Sequence, residues 1–203
     1  MRLSWHIIFV GLLAATGWTA ASAQKAAVTK TIVEKTIVVK AMDFQLSSPA
    51  FVNQQTLPER YTCHGDGQSA PLRWQGAPSG TRSFALILHD PDAAAAGGFT
   101  HWVVYDLPPA LSEIPSGDYT AAAFPLGGLE GHNGRGEMGF TPSCPPPGAP
   151  HHYTFTLYAL SVPSLGLPAG ATRAQVLAAL QGKSLAQAQL VGVYASPEPS
   201  PKP

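Results

Sequence analysis

The sequence predicts a mostly β domain, a β-sandwich of short strands carrying one or two short helices. Three observations support that class. Proline and glycine are both abundant, at 20 each, which implies many turns joining short strands and argues against a helical bundle. Three segments, each bounded by turn residues, have the apolar content or the alternation of strands. One helix toward the C-terminal end carries its own start and stop signals.

The chain opens on what reads as a targeting segment. Arg2 supplies a positive charge, Ile7 to Ala15 is an apolar run, and Ala21-Ser22-Ala23 is a small-x-small cleavage site. The run falls short of the roughly 20 residues needed to span a bilayer. Residues 1–23 are therefore expected to be a signal peptide removed before Gln24, leaving no integral membrane span and a periplasmic or secreted protein. Residues 24–43 follow as a leader segment or edge strand, in which Lys30-Thr31-Ile32-Val33 is echoed by Lys35-Thr36-Ile37-Val38. The β-branched content favours extended backbone, and the lysines suit a solvent-facing edge.

The globular domain is expected over residues 44–195. Phe84 to Leu88 is a continuous apolar run, as for a buried strand. His101 to Leu107 is a second strand, stopped by Pro108-Pro109. Tyr153 to Tyr158 places Thr between apolar and aromatic residues, a period of two that suits one buried face. The Gly- and Pro-rich span Pro108 to Pro150 separates the second and third strands, and so long a connection inside a compact domain is usually functional. Thr172 and Gln175 form a capping box, Val176, Leu177 and Leu180 an apolar stripe, and Gly182 a C′ residue. A last strand, Leu190 to Tyr194, precedes residues 196–203, where proline recurs too densely to pack and predicts a disordered tail. Trp74 and Trp102 are expected as core anchors.

Composition narrows the function. The net charge is zero and only 12% of residues are charged, so no basic field is available and nucleic acid is excluded as a partner. Export bears on the two cysteines, since an even count in an oxidising compartment favours a Cys63–Cys144 disulfide over two separate buried thiols.

Six of the seven histidines follow the signal segment, and several stand at strand ends. Asp90-Pro91-Asp92 follows the first buried strand, His101 opens the second after Gly97-Gly98, and His151-His152-Tyr153 opens the third. Alone, Asp-Pro-Asp is a common turn and a histidine at a strand start is commonly a surface residue. If the three strands are neighbours, their mouths put carboxylates and imidazoles around one cleft.

Ordered blocks of sequence sharpen this. They are Leu57-Pro58-Glu59-Arg60-Tyr61-Thr62-Cys63, Ala70-Pro71-Leu72-Arg73-Trp74 with Gly76-Ala77-Pro78, Asp90-Pro91-Asp92-Ala93, His101-Trp102-Val103-Val104-Tyr105, Pro142-Ser143-Cys144-Pro145-Pro146, and His151 through Leu160. Together they resemble the phosphatidylethanolamine-binding proteins, in particular their bacterial, Raf-kinase-inhibitor-like branch, over roughly residues 44–195. The resemblance implies a Greek-key-type sandwich of two antiparallel sheets with a small pocket at one end for phosphate-like anions. Carried over, the ligand-binding residues are Asp90, Asp92, His101, His151 and Tyr153. The rim is expected to include Pro142 and Cys144, and also His89, which stands where that branch carries an acidic residue. Ala93-Ala94 and Gly182-Lys183 replace its Ala-Pro and Gly-His pairs, so the ligand itself does not carry over.

Imidazoles and a phenol can donate to phosphate oxygens, whereas an ionised carboxylate repels them. Asp90 is therefore expected to orient a histidine or to share a proton with a monoprotonated phosphate. Histidine protonation should strengthen binding as the pH falls toward about 6. The partner is then a small anionic or phosphorylated ligand, with no cofactor and no metal. A protein target, such as a co-exported protease or a kinase-type partner inhibited through the pocket rim, is the alternative. A metal-dependent hydrolase using Asp90, His101 and His151 is a weaker one, since no HExxH-type spacing occurs. No Gly-x-Ser-x-Gly elbow is present, and Gly182-Lys183-Ser184 is no P-loop because Leu177 stands at its first glycine position. The expectation is a binding or regulatory protein and not an enzyme.

Overall fold

The computed structural model describes residues 43–119 and 124–198. The expected signal peptide, the leader up to Met42 and the tail from Pro199 onward lie outside the described residues. The described strands are β1 (Gln45–Ser47), β2 (Gln55–Thr56), β3 (Leu72–Gln75), β4 (Ser83–Asp90), β5 (Phe99–Leu107), β6 (Glu113–Ile114), β7 (Leu129–Glu130), β8 (His151–Leu160) and β9 (Ser184–Tyr194). A 3-10 turn covers Glu59–Tyr61, and one α-helix, α1, covers Arg173–Ala179.

The strands form two sheets, a small one ordered β1-β3-β6 and a large one ordered β2-β9-β8-β4-β5-β7. All pairings are antiparallel except at one edge, where β2 runs parallel to β9. The mostly β sandwich is thus present, with this parallel edge as a departure from purely antiparallel sheets.

The main core lies between the sheets. Leu46, Leu72, Trp74 and Ile114 of the small sheet meet Phe84, Leu86, Leu88, Trp102, Phe155 and Leu157 of the large one. A second core covers the other face of the large sheet, where Ala85, Ile87, Val103 and Tyr105 pack under Val176 and Leu180. This double coverage is why β4 reads as an unbroken apolar run: alternate residues face different cores, and both are dry. In β8 the expected period of two holds, with Tyr153, Phe155, Leu157 and Ala159 turned toward the main core. Trp74 and Trp102 are core residues, 6% and 0% exposed.

The capping box is closed in both directions. Gln175 N donates to Thr172 Oγ1, and Thr172 N donates to Gln175 Oε1 at 2.8 Å. Helix α1 ends earlier than its apolar stripe implies, and Gly182 adopts positive φ (70°) two residues past the C-cap Leu180. The last strand begins well before the expected Leu190, because Ser184 and Ala186 to Gln189 continue the ladder with β8, with Leu185 as an extra residue between them. Ser196, one residue past the expected domain limit, is buried, pairs with Pro147, and its hydroxyl donates to the Pro145 carbonyl. Cys63 and Cys144 form the expected disulfide, with Cα atoms 5.3 Å apart.

Candidate functional site

The pleat of two neighbouring strands assembles the centre of the site. β4 pairs with β8 in regular register, with Leu88 opposite Phe155 and His89 opposite Thr154. Continuing one residue past Leu88 and His89, Asp90 falls on the face shared by His151, Tyr153 and Phe155. His151 Nδ1 donates to Asp90 Oδ2 at 2.7 Å. Asp90, only 3% exposed, is held from the other side by its own turn, where Oδ1 accepts from the backbone N–H groups of Asp92 (2.9 Å) and Ala93 (3.2 Å). Three donors thus engage the Asp90 carboxylate, and the bond to His151 fixes the orientation of that ring.

His101 reaches the same face through a local irregularity. Leu88 pairs with Trp102, but His89 pairs with Thr100, so His101 is an extra residue on β5. Such a bulge re-aims a side chain, and here it takes His101 off the face of Val103 and Tyr105. The ring is 5% exposed, lies edge-on between Phe99 and Tyr153, and donates through Nδ1 to the Thr141 carbonyl at 2.9 Å. Burial pushes the His101 pKa below the usual histidine value, with the Thr141 contact and Asp90 acting in the opposite direction. Burial therefore disfavours a positive charge on His101, against the charge assistance expected of a cleft histidine.

Around these residues opens a cleft of about 280 Å³. Asp90, Asp92, His101, His151 and Tyr153 all line it, as do Pro142 and Cys144. Tyr153 is 1% exposed, and burial raises its phenol pKa. Its hydroxyl lies near Ser143, yet no protein atom among the described residues completes a hydrogen bond of normal geometry with it. Asp92 has a bracing role at the mouth. Its Oδ2 accepts from His152 N (2.8 Å) and His152 Nδ1 (2.7 Å), and those bonds hold its carboxyl below the usual range.

His89 is not at the rim. The residue next to Asp90 on a pleated strand must face the other way, and His89 lies under α1 with Thr154, Tyr158 and Arg173, its Nδ1 beside Thr100 Oγ1 at 3.3 Å. Burial and the neighbouring Arg173 charge lower its pKa.

Ala93 and Ala94, the pair that replaces an Ala-Pro, also line the cleft, and five further residues that the sequence reading does not name as lining complete it: Phe99, Arg135, Thr141, Pro145 and Pro146. Of these five, all but Phe99 belong to the long connection whose length marked it as functional. Arg135 is the only Lys or Arg among the lining residues and sits on a turn organised by Asn133, whose Oδ1 accepts from Arg135 N at 2.9 Å. Gly134 lets that turn lie on Phe99, since a Cβ there would come within 2.5 Å of the ring. Gly98 is needed for a like reason: its φ is +78°, and a Cβ would meet the Asp90 carbonyl at 2.3 Å. The disulfide holds the Pro142–Pro146 wall against the segment carrying Cys63, reinforced by Cys63 N donating to Ser143 O at 3.0 Å. Among the described residues no three His, Cys, Asp or Glu side chains converge as a metal-binding group. No helix there is long and apolar enough to cross a membrane.

Comparison with known proteins agrees with this architecture. Residues 47–195 match the family described as phosphatidylethanolamine-binding protein. A UPF0098 protein of Aquifex aeolicus is 44% identical over 151 residues, covering 74% of this chain and 87% of the relative. The crystal structure of Escherichia coli YbcL, described as a member of the mammalian PEBP family, superposes with a TM-score of 0.71 at 32% identity, covering 77% of this chain and all of YbcL (100%). That of CT736 from Chlamydia trachomatis, described as a homologue of the phosphatidylethanolamine-binding proteins, superposes with a TM-score of 0.69 at 37% identity, covering 76% of this chain and 98% of CT736. The chain belongs to the phosphatidylethanolamine-binding protein family.

Proposed function

We propose that this member of the family is an exported binding protein for a small, phosphate-type anion, held in the cleft between Asp90, His101, His151 and Tyr153. The observation that carries the reading is the pairing of His151 with Asp90 beside a buried Tyr153 hydroxyl that no protein atom among the described residues satisfies with normal geometry. A phenol O–H buried without a partner costs free energy on the order of 1–3 kcal/mol, which a bound oxygen atom recovers. His151 adds a second donor when its imidazole is protonated, and Arg135 places a guanidinium at the mouth. The prolines and the disulfide make the wall rigid, so little ordering is lost on binding.

Export is supported by the predicted signal peptide and fits a disulfide that is part of the cleft wall. The polar side chains assigned roles in the cleft position one another or bind the anion as donors or acceptor, so the reading is binding and not catalysis. Titration calorimetry with inorganic phosphate tests it, alongside a crystal soaked with the same anion. Density bonded to Tyr153 and His151 is expected, and anions found only elsewhere would overturn the assignment.

A further inference from the structure

Thr141 determines which proton His101 can offer. The Thr141 N–H donates to the His101 carbonyl at 2.9 Å, and the Thr141 carbonyl accepts from His101 Nδ1 at 2.9 Å. A carbonyl has no proton to give, so the hydrogen resides on Nδ1 and the neutral ring presents a bare lone pair at Nε2. That nitrogen has no protein partner among the described residues, and the ring lines the cleft.

The surroundings do not readily supply a second proton. Burial opposes an imidazolium here, the Thr141 contact and Asp90 favour it, and the charges of His89 on β4 and Arg135 on the rim oppose it to a smaller degree. Asp92, and His151 and Tyr153 of β8, are the other titratable groups lining the cleft. His101 thus differs from its neighbours: Tyr153 donates, His151 can donate, and His101 accepts.

On the anion-cleft reading above, we infer that the cleft selects tetrahedral anions that bring their own proton, phosphate and phosphate monoesters, over anions that carry none near neutral pH, sulfate and phosphate diesters, with His101 Nε2 as the acceptor. In the complex the ligand P–O–H donates to Nε2 while its other oxygens accept from the donors. No bond to phosphorus forms or breaks. A dianion reaches the same complex by taking one proton from solvent. Sulfate or a diester must either set an anionic oxygen against the lone pair or charge a buried imidazole, and both are unfavourable.

Titration calorimetry of the full chain at one pH near neutrality, with inorganic phosphate, methyl phosphate, sulfate and dimethyl phosphate, tests the selection. Phosphate and methyl phosphate should bind at least about tenfold tighter than sulfate and dimethyl phosphate. Sulfate is close to phosphate in size and shape, so that comparison isolates the proton. Equal affinity for phosphate and sulfate would overturn the inference while leaving an anion cleft in place, and no binding by any of the four overturns both. In His101→Gln the side chain can turn either its carbonyl or its amide to the ligand, so phosphate should still bind with the discrimination largely gone. Discrimination unchanged in that variant overturns the role of His101. If the variant does not fold, the four-anion comparison on the native chain decides alone.

Discussion

His151 Nδ1 stands 2.7 Å from Asp90 Oδ2, across the ladder that joins β4 to β8. Both side chains are largely buried, so the carboxylate relies on the three protein donors it holds. In Asp90→Asn the amide oxygen can still accept from the turn, but its NH2 then faces a nitrogen that was donating. The His151 ring should lose its orientation, and phosphate affinity should fall by about tenfold or more. Calorimetry with phosphate reads the loss, and an unchanged affinity would show that the pair is structural only.

The disulfide spans 81 residues of sequence and joins the cleft wall to the segment after the 3-10 turn. Cys144 itself lines the cleft. Replacing both cysteines by serine should cost roughly 2–4 kcal/mol of stability through the freed unfolded chain. It should also weaken phosphate binding by about tenfold, because Pro142 to Pro146 would no longer be pre-positioned. Denaturant unfolding and calorimetry on the same variant separate the two effects, and native affinity at reduced stability would remove the wall from the binding account.

The sequence made part of this site legible and hid the rest for identifiable reasons. The strands Phe84–Leu88 and Tyr153–Tyr158 were readable because their residues are buried in patterns that backbone geometry dictates. Asp90, His151 and Tyr153 followed from their places at strand ends together with the resemblance to a known family. His89 is expected at the rim but lies on the other face, since one residue of offset from Asp90 along a pleated strand reverses the direction. His101 is the opposite case. Strict alternation along His101 to Leu107 would put it with Val103 and Tyr105, and only the bulge opposite Leu88 and His89 brings it into the cleft. A bulge of that kind has no local signature in the residues themselves. Arg135 was hidden because its turn depends on Asn133 and on glycines in a long connection with no periodicity. The strands β1, β2, β6 and β7 are three residues or shorter, below the length at which alternation can be seen.

His89 and Arg135 give a paired test of this geometry. His89→Ala should leave phosphate affinity within about twofold of the native value, because the side chain lies on the far face of the sheet. Arg135→Gln should weaken binding by about fivefold, with a shallower dependence on salt, as an exposed charge at the mouth contributes modestly. Salt-dependent titrations of the two variants check both expectations. A loss of affinity in the His89 variant comparable to that in the Arg135 variant would contradict the assigned faces.

Glu130 makes the last prediction, and it concerns stability alone. The side chain is 0% exposed on β7, Oε2 accepts from Trp102 Nε1 at 2.9 Å, and Oε1 has no partner among the described residues. Burial raises its pKa from 4.5 to about 8, against the smaller opposing effect of the Trp102 bond. The folded protein therefore keeps a proton that the unfolded chain releases above about 4.5. With more protons bound in the folded state, stability falls as the pH rises. The contribution is complete below about 4.5, is lost progressively up to about 8, and is level beyond it. The loss across that window should be on the order of 5 kcal/mol. Glu130→Gln retains an oxygen for Trp102 and has no charge to bury, so its stability should stay flatter over the same range and gain on the native protein as the pH rises. Urea unfolding of both proteins at several pH values measures this, and parallel curves would mean that Glu130 does not hold the proton.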